Sequence, residues 1–375
     1  MPLDRVIHLS KMTGAAGSEG HLLTLLPGLR ARGVDARLWI LVEPDNPVDE
    51  VALRAQAAGV PVERVIIRRD LDPGLGRGLA RRFRAARPDI VHTHLLHADL
   101  YGIPAARRAG VPCVVTSRHN DDRFRRWPPL RWLNRWLWRQ VSGGIAISDA
   151  IRDFSIRVEG APAERVRTVR YGLDPHTRIA PPDARHLLRA SLGLPDDALL
   201  IGSVSRLIEQ KGLVYGLRAF VEVAGEFPAA HYVLAGAGPL RDALEGAARD
   251  LGAGGRVHFL GWRDDAPAIF AALDLLLAPS LWEGFGLVFL EAMALGVPVI
   301  STRVSAIPEV IADGETGWLV PPGNVEALAG ALRAALSDPD ERRRRGEAGR
   351  ARLEAQFTVD AMVERTLALY REWCG

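Results

Sequence analysis

Short apolar runs alternate with amphipathic stretches from one end of the chain to the other. Runs of the buried-strand kind fall at residues 6–9, 36–42, 65–67, 90–92, 113–116 and 144–147. Beyond residue 195 they recur at 199–204, 231–234, 257–260, 273–277 and 298–301. Between them, residues 20–32, 327–336 and 359–373 carry apolar side chains at helical spacing. Strand–helix alternation predicts parallel sheets covered on both faces. Eleven strands crowd a single sheet, so the pattern predicts an α/β protein of two doubly wound domains. The two prolines of IAPPDA, residues 179–184, mark the boundary and divide the chain into 1–178 and 179–356. Pro27 falls inside the first helical pattern, where it should remove a hydrogen bond and kink the helix. Residues 337–350, SDPDERRRRGEAGR, lack an apolar stripe through the arginine run and read as a solvated helix face.

A chain of 375 residues, 48% hydrophobic and 25% charged, has the length and composition of a two-domain globular protein. Its two cysteines, Cys113 and Cys374, stand far apart, and their count argues against both a disulfide framework and a cysteine zinc site. The opening MPLDRVIHLS lacks a signal-peptide pattern, and no run of about 18 uncharged apolar residues occurs. The expectation is a soluble, cytoplasmic protein. Net charge is only +3, but residues 1–178 hold 29 Lys and Arg against 19 Asp and Glu, and the remainder holds 19 against 26. A basic first half suits an anionic partner such as a phospholipid surface, a phosphorylated substrate or nucleic acid. Lys11 and Lys211 are the two lysines among 46 arginines, a skew that coding bias explains.

In open parallel sheets ligands bind beyond the carboxyl ends of the strands, so the loops after strands carry the candidate chemistry. SKMTGAAGSE, residues 10–19, joins the first strand to its helix. Its small residues admit a close ligand, although the dinucleotide fingerprint is absent and a plain flexible loop fits equally. In GSVSRLIEQKG, residues 202–212, Arg206 and Lys211 offer a guanidinium and an ammonium suited to a diphosphate, or else a surface ion pair. PSLWEGFGLVFLE, residues 279–291, puts Glu283 in a loop and Glu291 a turn into a helix that starts near Leu287. Carboxylates there accept hydrogen bonds from sugar hydroxyls, while the amides of Phe285, Gly286 and Leu287 face an anion. Helix capping is the competing reading for the glutamates, but Glu291 interrupts an apolar run where an unpaired carboxylate is costly.

HTHLLHAD brings His92, His94 and His97 after a strand, with Asp99 as the nearest oxygen ligand for a metal. His119, after the strand at 113–116, is better placed to act on a reacting centre. Residues 123–141, RFRRWPPLRWLNRWLWRQV, set Leu130, Leu133, Leu137 and Val141 on one helical stripe. Trp132 and Trp136 lie beside it, and Arg131, Arg135 and Arg139 lie opposite. An interfacial membrane anchor and a sheet-covering helix with buried tryptophans both fit that pattern.

Together these segments resemble the family-four retaining glycosyltransferases of the GT-B fold, the group 1 type. The match is most specific in EGFGLVFLE, residues 283–291, which carries that family's E-x7-E pattern. GSVSRLIEQKG, GWRDD at 261–265, VHTH at 91–94, ISDAIR at 147–152 and YGLDP at 171–175 extend it over nearly the whole chain. At 16–19, AGSE stands where the family has two adjacent glycines, so Gly17 fits less closely. The resemblance implies two Rossmann-like domains facing each other across a cleft, with a final helix at 357–375 packed back on the first domain. It implies that Arg206 and Lys211 hold a nucleotide-sugar diphosphate, and that Glu291 binds ribose. Glu283 would bind the transferred sugar with help from Phe285, Gly286 and Leu287, and Trp262 and Arg263 would flank the base. His119 would lie near the anomeric carbon, with His92, His94 and His97 toward the acceptor.

The activity implied is transfer of a hexose or N-acetylhexosamine, with UDP the favoured carrier, to a saccharide or lipid-linked acceptor of bacterial envelope polysaccharide. Retention, no metal or other cofactor, no nucleic acid, and peripheral contact of residues 123–141 with an anionic membrane go with it. A sugar-nucleotide epimerase and a silent nucleotide-sugar-binding partner are the alternatives.

Overall fold

The computed structural model describes residues 4–12, 17–69 and 72–375, without the side chains of Ser18 and Arg123. Thirteen strands and fifteen α-helices are found among the described residues, in two compact units. The first unit takes residues 1–172 and 358–375, the second 173–357. The chain therefore changes unit six residues before the proline-marked boundary expected at 178/179, and returns at 357/358.

In the first unit the strands are β1 (Arg5–Lys11), β2 (Asp35–Val42), β3 (Val62–Ile66), β4 (Ile90–His94), β5 (Cys113–Arg118), β6 (Gly143–Ala146) and β7 (Val166–Thr168). They pair in parallel in the order β3-β2-β1-β4-β5-β6-β7. The order reverses between β1 and β4, which opens a crevice at their carboxyl ends. The helices between are α1 (Gly17–Ala31), α2 (Asp49–Ala57), α3 (Leu75–Ala86), α4 (Leu95–Ala109), α5 (Pro128–Trp138) and α6 (Asp149–Phe154). Pro27 is accommodated within α1, which runs on past it for four residues.

The second unit has β8 (Leu199–Val204), β9 (Ala230–Ala235), β10 (Val257–Gly261), β11 (Leu275–Ala278), β12 (Val299–Thr302) and β13 (Gly317–Val320), in the parallel order β10-β9-β8-β11-β12-β13. Its reversal lies between β8 and β11. The helices are α7 (Ala184–Ser191), α8 (Leu213–Ala224), α9 (Arg241–Asp250), α10 (Ala266–Ala272), α11 (Leu287–Ala294), α12 (Ile307–Val310), α13 (Val325–Ser337) and α14 (Pro339–Gln356). The arginine run lies on α14, where Arg342 is buried and donates to the Ala335 and Leu336 carbonyls that end α13. Arg345 covers the Trp318 ring at 3.9 Å. That run is thus part helix cap and part packing, besides a solvated face.

The final helix, α15 (Val359–Cys374), belongs to the first unit. Met362, Val363, Leu367 and Tyr370 enter the same core as Leu22, Leu25 and Leu29 of α1. Each such side chain contributes about 1.5–3 kcal/mol when removed from water. Trp373 lies against Gly143 on one face of β6 and Trp138 of α5 against Gly144 on the other, leaving no room for a Cβ at either glycine. Cys374, at the end of α15, is joined by a disulfide to Cys113 at the start of β5. Two cysteines were too few for a disulfide framework, but the fold joins them in a single bridge across 261 residues of sequence.

Candidate active site

In the second unit the loops after β8, β9, β10 and β11 are laced together at the carboxyl ends of the strands. Ser205 and Leu207 donate backbone N–H bonds to Ala235 and Ala237, Gly236 donates to Gly261, and Leu281 donates to Gln210. The amide of Gln210 also reaches the Trp282 carbonyl at 3.1 Å. Gly236 has φ +142°, and a Cβ there would lie 1.9 Å from the Ser205 carbonyl oxygen, so this close crossing requires glycine. The loop around Gly236 escaped the sequence reading, although AGAGPL directly after a strand was the available signal.

Arg206 is exposed on the first of these loops, and its guanidinium makes no ion pair among the described residues. Lys211 lies deeper and pairs with Glu283, which is buried. The two sequence candidates for separate roles are therefore one ion pair, flanking the reversal between β8 and β11. An ammonium has three donors, so Lys211 can hold Glu283 and still address an anion. Ser205, Lys211, Ser280 and Val288 line a narrow crevice here. Phe285 is buried with its ring edge-on to Phe357, Gly286 at φ +86° turns the chain into α11, and Leu287 begins that helix. The first-turn amides of α11 need acceptors from outside the helix.

Glu291, one turn further on, is half-buried. Burial raises its carboxyl above the ordinary value, against the pull of Arg178 at 3.3 Å. Arg178 is the partner the sequence reading missed, because it lies more than a hundred residues away with no pattern joining the two. Trp262 is exposed beside Arg263, which pairs with Asp265 at 2.5 Å.

In the first unit, parallel registry sets His8 of β1 beside His92 of β4, and His94 follows two residues later on the same face. His8 Nδ1 lies 3.0 Å from His94 Nε2, His94 Nδ1 3.0 Å from His119 Nε2, and His119 Nδ1 2.5 Å from the Tyr171 hydroxyl. Both ring nitrogens of His119 thus have protein partners, and a sugar hydroxyl reaching this ring must displace one. Burial pushes the His8 and His21 imidazoles down to about 3, and it holds His92, His94 and His119 well below the ordinary value. These rings are neutral at pH 7.

A histidine group with metal-ligand spacing is present, but its members are His8, His92 and His94, whose ligand atoms lie within 4.8 Å of one another. Half-buried His97, on the first turn of α4, is not among them. Asp99 is occupied otherwise, accepting from Thr93, Thr116 and Arg118. Gly17 is exposed at the start of α1, and residues 13–16 of the small-residue loop lie outside the described residues.

Next to His119 runs a buried ionic network. Arg118 bonds Asp99 at 2.6 Å and Glu159 at 2.7 Å, Arg125 bonds Glu159 at 2.8 Å, and the Trp138 indole donates to the same carboxylate at 3.1 Å. It fastens residues 123–138 to β5. Among the tryptophans of residues 123–138, Trp138 is buried, whereas Trp127, Trp132 and Trp136 are exposed, Trp132 at 77%. The sheet-covering reading holds for Trp138, and the exposed tryptophans lie on a face that the first unit leaves uncovered.

The chain matches two family models. Residues 15–177 fit Glycosyltransferase Family 4, and residues 184–352 fit Glycosyl transferases group 1. It is 29% identical to the alpha-D-kanosaminyltransferase of Streptomyces kanamyceticus, over 94% of this chain and 99% of the relative. It is 31% identical to the alpha-maltose-1-phosphate synthase of Mycolicibacterium smegmatis, over 76% and 79%. In fold it is similar to Anabaena HepE in complex with UDP-glucose, with a TM-score of 0.87 at 22% identity over 98% and 99% of the two chains. Two Rossmann-like parallel-sheet units, with cations and a helix start gathered where one sheet reverses, accompany that similarity: the chain belongs to the group 1, family-four glycosyltransferases of the GT-B fold.

Proposed function

We propose that this glycosyltransferase moves a hexose or N-acetylhexosamine from a UDP-sugar to a saccharide or lipid-linked acceptor, retaining anomeric configuration and needing no metal. The observation that carries this reading is the trio at the β8–β11 reversal: exposed Arg206, without an ion pair among the described residues, Lys211 held by Glu283, and the open start of α11. Glycosyl transfer passes through an oxocarbenium-like state while negative charge grows on the departing diphosphate. Fixed cations and amides aimed at that charge stabilise the transition state more than the ground state. Glu283 would take sugar hydroxyls and Glu291 the ribose, with Trp262 and Arg263 beside the base. The structural neighbour's complex with UDP-glucose supports UDP as the carrier.

The test is release of nucleoside diphosphate from a panel of UDP- and GDP-sugars in the presence of EDTA, followed by proton NMR of the anomeric product. Release from a UDP-sugar with its configuration kept supports the reading. A strict need for added divalent metal, or an inverted product, would refute the corresponding clause.

The exposed aromatics of residues 123–138 favour an acceptor presented at a lipid surface. Phe124, Trp127, Trp132 and Trp136 face solvent with Arg126, Arg135 and Arg139 exposed among them, the composition of an interfacial anchor for anionic lipid. No helix among the described residues is long and apolar enough to cross a membrane. Sedimentation with phosphatidylglycerol vesicles at low salt should carry the protein down, and Trp127→Ala with Trp132→Ala should abolish this. Failure of the unaltered protein to sediment would sink the surface role.

A further inference from the structure

Seven side chains of the first unit form an unbroken hydrogen-bonded chain. Ser117 Oγ meets His92 Nε2 at 2.8 Å, His92 Nδ1 meets the Tyr370 hydroxyl at 2.6 Å, and that hydroxyl meets His8 Nε2 at 3.3 Å. The chain continues from His8 to His94, to His119 and to Tyr171 through the contacts given above. Every histidine in it uses both ring nitrogens. The line leaves Ser117 on β5, passes through β4, α15 and β1, and returns to His119, which follows β5.

A neutral imidazole carries one N–H and one lone pair, and each link in such a chain needs one donor and one acceptor. If Ser117 donates to His92 Nε2, the His92 proton must lie on Nδ1 and be given to Tyr370. Tyr370 then donates to His8 Nε2, which places the His8 proton on Nδ1. His94 and His119 follow in the same sense. Reversing one link reverses all of them, which moves every proton to Nε2. We propose that these groups act as one unit in which His8, His92, His94 and His119 share a single tautomer, with Ser117 and Tyr370 as positioning residues that fix which nitrogen of His119 bears its proton.

Ser117 supplies the direction. Its hydroxyl is buried, and the bond to His92 is the side-chain hydrogen bond it makes among the described residues. An unpaired buried O–H costs more than an unused lone pair, so Ser117 donates. The protons then lie on Nδ1 throughout. His119 donates to Tyr171. The catalytic consequence rests on the proposed glycosyl transfer: a sugar hydroxyl approaching His119 meets a group whose donor and acceptor sense is set five links away.

The experiment is nitrogen-15 NMR of the full-length, ligand-free protein labelled at histidine, reading the protonated nitrogen of each ring and the couplings across N–H···N bonds. All four rings protonated on Nδ1, with couplings between His8 and His94 and between His94 and His119, is the expected result. Any ring of the four on the other tautomer, or absent couplings, overturns the proposal. Ser117→Asp, read at pH 8, replaces the donor by an acceptor and should move all four protons to Nε2. It should also lower kcat for donor-sugar cleavage by about tenfold or more at unchanged KM. A folded Ser117→Asp protein with His119 unmoved is equally fatal. Should that variant not fold, the unaltered protein's spectrum decides alone. Failure of the unaltered protein to cleave any donor sugar would refute the transferase reading and leave the tautomers as measured.

Discussion

Arg206 and Lys211 carry the same kind of charge toward the same crevice but differ in how the fold holds them, and the difference is measurable. A full charge developing about 4 Å from either cation, at an effective dielectric near ~20, is stabilised by about 4 kcal/mol. Removal of one preorganised donor from a developing anion costs about 2.7–4 kcal/mol, a fall of about 10²–10³ in kcat. Both Arg206→Ala and Lys211→Met should therefore lower the rate of nucleoside-diphosphate release by that factor. Stability should separate them. Arg206 is exposed and makes no ion pair among the described residues, so its loss should change the unfolding free energy by no more than about 0.5 kcal/mol. Lys211 neutralises a buried Glu283, and leaving that carboxylate alone should cost about 3 kcal/mol, which Lys211→Met/Glu283→Gln together should largely restore. The assays are coupled detection of released diphosphate and urea unfolding of each variant. Turnover of Arg206→Ala within about threefold of the parent would refute the electrostatic role. Equal destabilisation by the two substitutions would refute the assigned pairing.

Glu159→Gln strips two buried arginines of their shared carboxylate and should cost about 3 kcal/mol, lowering the calorimetric Tm of the first unit by about 6–12 °C. Burial acts to raise the Glu159 carboxyl, but Arg118 and Arg125 outweigh it and hold it below the ordinary value. Its stabilisation is therefore complete above the unfolded-state pKa and should fade as pH falls through the lower folded value, a dependence that Glu159→Gln abolishes. Glu291 has the opposite sign: burial raises its carboxyl, so nucleotide affinity should weaken on acidification at a higher pH than for an exposed glutamate, and titration calorimetry of Glu291→Gln should show that dependence gone. Gly236→Ala should cost about 1–3 kcal/mol in urea unfolding and raise the donor KM, because the added Cβ collides with the Ser205 carbonyl.

Wherever a strand is a solid apolar run, as at residues 36–42 or 199–204, the sequence pattern located it within a few residues. The strands it missed are β7, three residues of Val-Arg-Thr, and β13, Gly-Trp-Leu-Val. Both lie at sheet edges, where burial on both faces is not required and alternation is too short to register. The loops of the second unit were legible because each candidate follows its own strand. What could not be read were partnerships. Arg178 with Glu291, Tyr370 with His92 at 278 residues' separation, and Glu159 with Arg118 and Arg125 are set by tertiary registry, which leaves no periodic trace. The disulfide belongs to the same class. The tryptophans of α5 show the converse limit, since helical spacing gives a face but not what lies beneath it.

The return of α15 to the first unit has a consequence for the order of events on the ribosome. The second unit, residues 173–357, is contiguous and can close as soon as it has emerged, whereas the first must wait for a segment synthesised after all of it. Until residues 359–374 are made, the core lacks Met362, Val363 and Tyr370, β6 lacks Trp373, and Cys113 has no partner. A nascent chain stalled or cut short within α15 would thus carry a finished second unit and an open first one, a species suited to recognition by chaperones or proteases. Closure of the first unit is thereby tied to residues made after the whole of the second.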